Sequence, residues 1–452
     1  MWRPDIERRS GPTAHRIVEA LAEAVNAGSL AAGAQLPPHR ELADTLGLSV
    51  GTVSRAYSLA RERGLITGTV GRGTFVAARL DAPDDAAGEL DLTQNFIRWD
   101  PGGAVAQLLR TAFRDHTDLR TLMEIYPNAA GRPEHRQAAA RWLGHRGLAA
   151  DAEQVVLTNG AQHGIFTALM ALTRPGDLIA TEHLTYPGVK NVAIQLQLRL
   201  AGLPIDHEGL LPEAFERLCA TAPVRILYII PTLHNPTGAL MSEDRRETIA
   251  DIARRRNVTI LEDDIYSFLV DGGPPPIAAF APERSYVVTG LSKSVFPGLR
   301  LGFVVCPTGG AARVAEMVRT SLLTVSPLTA AVGTSWMEDG TVDRIIDWKR
   351  TEIRWRWEMA WRYLGLDLHD YHFAAHLWLP LPGGIQPEEL VASVRARGVI
   401  LAPAAGFAVE PQPAPRAVRI CLGVPSTRAR LQQALAVVRE VMEGRTPATQ
   451  LI

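Results

Sequence analysis

The spacing of hydrophobic residues changes near residue 90. Before that point, apolar residues recur every three or four positions, which is the period of amphipathic helices. The pattern predicts three helices, over Thr13–Asn26, over His39–Leu46, and from an N-cap at Ser49 to Arg63. Two short β-prone runs, Leu65–Val70 and Thr74–Ala77, follow and are joined by Gly71-Arg72-Gly73. The first eighty residues therefore predict three helices and a β-hairpin with a basic tip.

From Asp91 onward, helical patterns alternate with short apolar runs. This alternation is typical of an α/β fold with a mainly parallel sheet. The predicted strands are Gln154–Leu157, Leu178–Ala180, Arg225–Ile230, Val258–Leu261, Tyr286–Thr289 and Leu301–Cys306. A long helix over Trp348–Tyr363 is predicted next, followed by smaller-domain strands at Leu377–Leu379, Val399–Leu401 and Val418–Leu422. The small, acidic, Pro-containing segment 80–90 predicts a linker between the two patterns.

Length and composition bound the class of protein. A chain of 452 residues suggests two or three domains. The formal net charge of -1 neither supports nor excludes a nucleic-acid partner, so only a local basic patch could indicate one. Cys219, Cys306 and Cys421 lie far apart near apolar segments, which favours free thiols in a reducing compartment. No run approaches about 18 apolar residues, so we expect a cytoplasmic protein with no membrane partner.

The predicted third helix and hairpin carry such a basic patch. Over residues 40–80 arginines outnumber acidic residues, as contact with phosphate requires. Three helices and a basic hairpin describe a winged helix-turn-helix. With its motifs LPPHRELADTLGLSVGTVSRAY and GRGTFV, the segment resembles the GntR family of transcription regulators. By that resemblance, the expected DNA contacts are Arg40, Thr52, Arg55 and Arg72.

One departure and one alternative accompany this resemblance. Many GntR proteins carry arginines where the recognition helix of this chain has Val50 and Ser54. The alternative interpretation is a small helical docking domain with solvated arginines.

Polar residues with complementary chemistry follow four of the predicted strands. The stretch Val287–Gly302 begins as a strand, breaks at Gly290, and then presents Lys293 and Arg300. On its own, this stretch fits a surface loop with a solvated lysine equally well. Three other strands lead into the motifs TNGAQ, HNPTG and EDDIY. Because the carboxyl ends of parallel strands open onto one crevice, we expect these groups to converge.

Some of these residues suit a phosphorylated carbonyl cofactor. The amides of Ala161 and Gln162, at the start of a predicted helix, offer a phosphate site. Arg300 adds a fixed positive charge to that site, and Ser292 adds a hydroxyl. Lys293 supplies an amine that can form a Schiff base with the carbonyl.

Other residues suit a pyridine ring on the same cofactor. Asp263, as a carboxylate, can keep a pyridine nitrogen protonated and so make the ring an electron sink. Tyr266 and Asn235 can hydrogen-bond a phenolic oxygen on the ring. Tyr186 offers a flat face for stacking.

Seven motifs together resemble the fold-type I pyridoxal-phosphate (PLP) enzymes of the aspartate aminotransferase superfamily. They are YPNAAGRPEHRQAAARWL, TNGAQHG, TYPG, HNPTG, EDDIYSFL, TGLSKSVFPGLRLG and VRICLG. The resemblance implies a PLP cofactor, a mainly parallel seven-stranded large domain, a small α+β C-terminal domain and a homodimer. It also implies that Tyr126 reaches the cofactor phosphate of the neighbouring subunit. Arg419 is expected to pair with the α-carboxylate of an amino acid.

Several residues keep alternative interpretations. Gly290 stands where many family members have a Ser or Thr, and Thr289, one position earlier, need not reach the phosphate. Of the two aspartates in EDDIY, Asp264 better suits a structural role. Arg419 could belong to a structural ion pair, and Tyr186 could be core packing. The three histidines near these motifs lack metal-ligand spacing, so we expect no metal site; they are His163, His183 and His234.

A GntR-type domain fused to an aminotransferase-like domain resembles the MocR subfamily of bacterial transcription regulators. We expect a DNA-binding domain over residues 1–79, a linker over 80–90, a large domain over 91–340, and an interdomain helix with a small domain over 341–452. The first functional hypothesis is a regulator that senses an amino acid or amine through aldimine exchange at Lys293. The second is a working aminotransferase that carries a secondary DNA-binding domain.

Overall fold

The computed structural model describes residues 2–6, 11–26, 30, 33–62, 65–69, 73–76, 88–98, 104–114, 122, 124, 126–366, 372–409 and 414–444. The chain packs as two compact units. One draws on residues 1–90, 98–116 and 425–436, and the other on residues 91–97, 117–424 and 437–452.

The first unit contains the predicted helix-turn-helix. Its elements are α1 (Thr13–Asn26), α2 (His39–Leu46), α3 (Val50–Glu62), β1 (Ile66–Thr69) and β2 (Gly73–Val76), the two strands pairing antiparallel. Ile17, Leu21, Leu42 and Val53 meet in its core, because the helical period places each on the inward face of its helix. The three helices and the hairpin are confirmed, whereas the predicted hairpin tip at Arg72 and the last helical residue, Arg63, lie outside the described residues.

The remaining elements follow in chain order. The strands are β3 (Leu90–Asp91), β4 (Val155–Thr158), β5 (Leu178–Glu182), β6 (Arg199–Leu203), β7 (Ile205–Asp206), β8 (Gly209–Leu210), β9 (Val224–Ile229), β10 (Thr259–Asp263), β11 (Ser285–Gly290), β12 (Gly302–Val305), β13 (His376–Pro380), β14 (Val399–Ile400), β15 (Ala402–Pro403) and β16 (Ala417–Cys421). The helices are α4 (Ala104–Arg114), α5 (Pro133–Gly144), α6 (Ala161–Leu172), α7 (Pro187–Gln195), α8 (Pro212–Thr221), α9 (Glu243–Arg256), α10 (Leu291–Ser294), α11 (Ala311–Leu322), α12 (Pro327–Glu338), α13 (Thr341–Leu364), α14 (Pro387–Arg395) and α15 (Arg428–Met442).

A seven-stranded sheet organises the second unit, in the order β4-β12-β11-β10-β9-β5-β6. Strand β12 runs antiparallel to both of its neighbours, and the other adjacent pairs are parallel. The predicted mainly parallel α/β sheet is therefore confirmed. The edge strand β6 was not predicted, because its half-exposed sequence RLAGL lacks the apolar run that marks the buried strands.

Both faces of this sheet are buried. Along β9, Ile226 and Tyr228 join one hydrophobic core, whereas Leu227 and Ile229 join a second core on the opposite face. Helices α6, α7 and α11 contribute to the first core, and helices α8 and α9 contribute to the second. Burial on both faces explains why the central strands are apolar at nearly every position.

A smaller antiparallel sheet has the order β13-β16-β15. Arg419 lies on its middle strand, β16, opposite Trp378 on β13 and Ala402 on β15. This register fixes the Arg419 backbone from both sides.

Among the described residues, no helix is both long and apolar enough to cross a membrane. The three cysteines are free thiols: Cys306 and Cys421 are buried, and Cys219 is half-buried.

Candidate functional site

The carboxyl ends of the central strands open onto one cavity of about 550 Å³. Because β12 runs in the opposite direction, its amino end, just after Arg300, reaches the same edge of the sheet. Ten of the predicted site residues line this cavity: Ala161, Gln162, Tyr186, Asn235, Asp263, Tyr266, Ser292, Lys293, Arg300 and Arg419. The expected convergence of strand-end residues is thus present in the structure.

Lys293 lies in the four-residue helix α10, directly after β11. Burial lowers the pKa of its amine to about 8, and the nearby Asp263 carboxylate partly opposes this effect. The whole chain contains just three lysines, Lys190, Lys293 and Lys349. Lys293 is the one that lines the cavity. A lowered pKa leaves more of the amine neutral, which is the form that attacks a carbonyl carbon.

Asp263 is the buried carboxylate of the cavity. One of its oxygens, Oδ2, accepts a hydrogen bond of 2.6 Å from the hydroxyl of Tyr228. Its other oxygen, Oδ1, has no partner among the described residues. Burial raises the pKa of Asp263 to about 7, and the hydrogen bond from Tyr228 opposes that rise. Tyr228 was not predicted from the sequence, although a tyrosine inside an otherwise apolar buried strand signals a need for a hydrogen-bond partner.

Arg419 and Asn235 bond to each other across the cavity wall. Nη1 of Arg419 donates to Oδ1 of Asn235 at 2.6 Å, and Nη2 donates to the main-chain carbonyl of Thr93. The guanidinium also lies 4.7 Å from the ring centre of Phe407. Among the described residues, Arg419 has no carboxylate within 4.0 Å, so the structure offers no partner for the alternative ion pair.

The guanidinium of Arg300 lies beside the first turn of α6. Gly160, with a φ of 79°, precedes that helix, and a Cβ at this position would lie 2.8 Å from Nη2 of Arg300. Nη2 of Arg300 donates to the carbonyl of Asn159 at 3.1 Å. The absence of a side chain at Gly160 therefore lets the guanidinium approach the helix amides. A helix N-terminus beside a fixed cation suits a phosphate group.

The structure explains why glycine stands at position 290. A Cβ on Gly290 would lie 2.6 Å from the carbonyl oxygen of Leu301 and 2.7 Å from Cα of Gly302. Strand β12 begins so close to β11 that no side chain fits between them. The neighbouring Thr289 donates its hydroxyl to the carbonyl of Asp264 at 3.0 Å and does not line the cavity. Ser292, whose buried hydroxyl has no partner among the described residues, is the serine at the cavity wall.

Gln162 and Tyr186 form one side of the cavity. Nε2 of Gln162 donates to the carbonyl of Gly188 at 3.1 Å. A Cβ on Gly188 would lie within 2.5 Å of atoms in both side chains, so this glycine makes their packing possible. Tyr186 also packs against the core of the large sheet. The two interpretations of Tyr186, cavity wall and core packing, therefore hold together.

Further cavity residues come from segments without a motif. The loop that follows β3 contributes Thr93, Asn95 and Phe96, and the small sheet region contributes Ala402 and Phe407. No pattern in the sequence marked these positions, because their place depends on packing between segments about 300 residues apart.

Four predicted residues lie outside the cavity, and a fifth, Arg72, is not described by the structure. Tyr126 is 80% exposed and does not line the cavity of its own chain. In the first unit, Arg40 and Arg55 are exposed, and Thr52 is half-buried. The backbone N–H and hydroxyl of Thr52 both contact Oγ of Ser49, which caps α3.

The unpaired polar atoms of the cavity fit PLP. Buried polar atoms nearly always have hydrogen-bond partners, so unpaired ones that face a cavity are available to a bound group. Among the described residues, such atoms are Oδ1 of Asp263, Oγ of Ser292, Oε1 of Gln162 and Nε of Arg419. Oδ1 of Asp263 can accept from a ring N–H, and the hydroxyl of Ser292 can donate to a phosphate. With the Lys293 amine for the aldehyde, these groups match the functional groups of this cofactor.

Comparisons with known proteins cover both units. A family model described as aminotransferase class I and II matches residues 88–438, and one for bacterial regulatory proteins of the gntR family matches residues 13–76. The chain is 30% identical to the HTH-type transcriptional regulator YdeF of Bacillus subtilis, over 98% of this chain and 97% of YdeF. It is 29% identical to the rhizopine catabolism regulatory protein MocR of Rhizobium meliloti, over 66% of each chain. The chain belongs to the MocR-type regulators.

This MocR-type chain therefore combines a gntR-type helix-turn-helix with a fold-type I aminotransferase domain. A kynurenine aminotransferase of Pyrococcus horikoshii shares the fold, with a TM-score of 0.72 and 19% identity over 80% of this chain and 93% of that one. The gntR domain implies that DNA is a partner, and the family of the second domain depends on PLP.

Proposed function

We propose that this regulator binds PLP on Lys293 and senses an amino acid or amine effector through aldimine exchange there. The observation that carries the proposal is the single cavity that joins Lys293, the buried Asp263 carboxylate and the Arg419–Asn235 pair. The effector would change how the helix-turn-helix domain binds DNA, which requires a free-energy coupling between the two sites.

The cofactor would be held by groups that already face the cavity. Its phosphate would bind the amides of Ala161 and Gln162, the hydroxyl of Ser292 and the guanidinium of Arg300. When bound, PLP supplies an aldehyde carbon that condenses with amines and a ring that accepts electrons. Tyr126 of the neighbouring subunit in a homodimer would complete the phosphate site, consistent with its exposure on its own chain.

The pyridine ring would bind between polar and aromatic groups. Oδ1 of Asp263 is free to accept a hydrogen bond from the ring nitrogen, because Tyr228 occupies the other oxygen. Asn235 would donate from its amide NH₂ to the phenolic oxygen, because its carbonyl oxygen accepts from Arg419. The Tyr266 hydroxyl would support the same oxygen, and Tyr186 would stack on the ring.

Arg419 would bind the effector carboxylate. Its guanidinium is buried and lies against Phe407, and two of its nitrogens bond only neutral acceptors. A carboxylate would therefore meet an uncompensated cation, and charge-assisted hydrogen bonds are about twice as strong as neutral ones.

On the DNA side, Arg40, Thr52, Arg55 and Arg72 would contact the duplex. Arg40 and Arg55 are exposed, as phosphate contact requires. We assign residues 1–79 to the DNA-binding domain, 80–90 to the linker, 91–340 to the large domain, and 341–452 to the interdomain helix and small domain.

A second candidate function is transamination. The cavity contains a complete set of groups for it, including an amine at Lys293 whose lowered pKa suits it to move a proton near neutral pH. A transaminase would convert the cofactor to its amine form with an amino acid and restore it with a keto acid. A sensor would bind the effector and change its DNA affinity without completing that cycle.

The test combines absorbance spectroscopy with promoter binding. Purified protein is reconstituted with PLP and reduced with borohydride, and peptide mapping locates the label. Because the chain has three lysines, the label distinguishes Lys293 from Lys190 and Lys349. We expect the label on Lys293 and none on Lys293→Ala, and a label elsewhere would overturn the site. A panel of amino acids is then added, and spectra and promoter affinity are recorded. No change in either measurement would exclude the sensing function.

A further inference from the structure

Lys349 is a fully buried lysine that touches the backbone of Lys293. It lies on α13, on the apolar stripe that contains Val342, Ile346 and Ile353. Its Nζ donates to the carbonyl of Lys293 at 2.9 Å and to the carbonyl of Val295 at 2.5 Å. These two carbonyls lie at the end of α10, where the last carbonyls of a helix have no intrahelical partners.

The choice of lysine at this position is informative. The chain uses arginine for almost all of its basic residues and retains three lysines. On the same helix, Arg350 pairs with Asp271 at 3.2 Å and Arg356 pairs with Glu352 at 2.8 Å. Lys349 has no carboxylate within 4.0 Å among the described residues. Lysine, unlike arginine, can lose its charge when buried and still donate hydrogen bonds.

The pKa of Lys349 is low enough for the amine to be neutral in part of the molecules near neutral pH. Burial, with a smaller contribution from the positive charge of Lys293, lowers it to about 7. A neutral amine has two N–H bonds, which match the two carbonyls it contacts. The side chain therefore satisfies the end of α10 without adding a fixed cation beside Lys293.

Helix α13 also contacts the segments that follow two other cavity residues. Nε of Arg350 donates to the carbonyl of Phe268, two residues after Tyr266, at 2.7 Å. Nη1 of Arg356 donates to the carbonyl of Leu422, three residues after Arg419, at 2.7 Å. One helix thus bonds to three of the segments that carry cavity residues, and Lys349 makes the contact to the cofactor lysine.

We propose that Lys349 is a positioning residue for Lys293, which fixes the α10 backbone so that the Lys293 amine stays directed at the cofactor aldehyde. This inference rests on the proposed PLP function. A fixed α10 backbone would raise the effective concentration of the Lys293 amine at the cofactor aldehyde. Lys293 would therefore compete better than a free amine for that aldehyde. Lys349 would therefore set how much effector is needed to displace Lys293.

The test compares Lys349→Met with two other variants in the full-length protein saturated with PLP. Methylamine serves as the probe, since it displaces a lysine amine without needing a carboxylate site. Absorbance gives the methylamine concentration at half-displacement. We expect that concentration to fall about tenfold in Lys349→Met, the effect of losing one or two buried hydrogen bonds. Lys349→Gln, which can still donate to a carbonyl, should lie between Lys349→Met and the wild type.

Ile353→Ala is the matched control, because it removes a buried side chain one turn along the same stripe without removing a bond to α10. It should lower the melting temperature and leave the methylamine midpoint within about twofold of the wild type. Equal midpoints in Lys349→Met and Ile353→Ala would overturn the positioning role. If borohydride labels no Lys293 in the wild type, the proposed PLP function fails instead. A Lys293 label with an unchanged midpoint in Lys349→Met rejects the positioning role alone.

Discussion

The guanidinium of Arg419 fixes the orientation of the Asn235 side chain. Because a guanidinium only donates hydrogen bonds, the atom of Asn235 that faces it at 2.6 Å is the carbonyl oxygen. The amide NH₂ of Asn235 then points away from Arg419 and is available as a donor. One pair of residues thus connects the proposed effector carboxylate site with the proposed phenolic-oxygen site.

Replacing Arg419 should weaken the binding of amino acids much more than the binding of amines. In Arg419→Gln, we expect amino acids to bind roughly 10- to 100-fold more weakly, the effect of losing charge-assisted hydrogen bonds to a carboxylate. The corresponding decarboxylated amines should bind within a few-fold of their wild-type affinity. Absorbance titration of PLP-loaded protein with matched pairs of amino acid and amine measures both. An equal loss for amines and amino acids would contradict the assigned role.

Asp263 should make the cofactor-free protein less stable as pH rises. Its folded-state pKa of about 7 lies above its ordinary value of 3.8, so the folded protein retains this proton to higher pH than the unfolded chain. The free energy of unfolding therefore falls between about pH 4 and pH 7 by a few kcal/mol from this group, about 4 at most. Asp263→Asn removes the ionisation and should remove that part of the slope.

Chemical unfolding measures the difference in the free energy of unfolding between wild type and Asp263→Asn. The measurement is made without PLP at several pH values from 4 to 8. We expect the stability of the variant relative to wild type to increase with pH across this range and to level off above it. Tyr228→Phe is a useful companion, because losing its hydrogen bond should raise the pKa of Asp263 and extend the slope upward. A difference between Asp263→Asn and wild type that does not vary with pH would rule out the raised pKa.

Much of the site could be predicted because its residues sit beside strand ends that are visible in the sequence. Asn235, Asp263 and Lys293 each follow an apolar run closely, and the parallel-sheet rule brings such ends together. The Tyr228–Asp263 and Lys349–Lys293 contacts could not be predicted in this way. They join residues 35 and 56 positions apart, and they depend on strand register and on the rotation of a helix about its axis.

The structural reason for Gly290 could not be predicted from the sequence either. In the sequence this glycine looked like a missing phosphate hydroxyl, but the structure shows that β12 leaves no space for a side chain there. Gly290→Ala should destabilise the protein by about 1–3 kcal/mol, because its Cβ would meet backbone atoms that cannot move independently. Gly298→Ala is the control: a Cβ at that exposed position has no atom within 4 Å. Thermal or chemical unfolding compares the two, and equal stabilities would contradict the close approach.

Arg40 and Arg55 should contribute electrostatically to DNA binding. Each phosphate contact releases counterions, so the logarithm of the binding constant falls with the logarithm of salt concentration by about 0.9 per contact. We expect Arg40→Ala and Arg55→Ala each to reduce that slope by about one if the residue contacts a phosphate. Arg319→Ala, which removes an exposed arginine on α11, is the control and should leave the slope unchanged. Fluorescence anisotropy with promoter DNA at several salt concentrations measures the slopes. Because a base-specific contact would lower affinity for the promoter more than for random DNA, the same titrations on both sequences show which kind of contact each arginine makes.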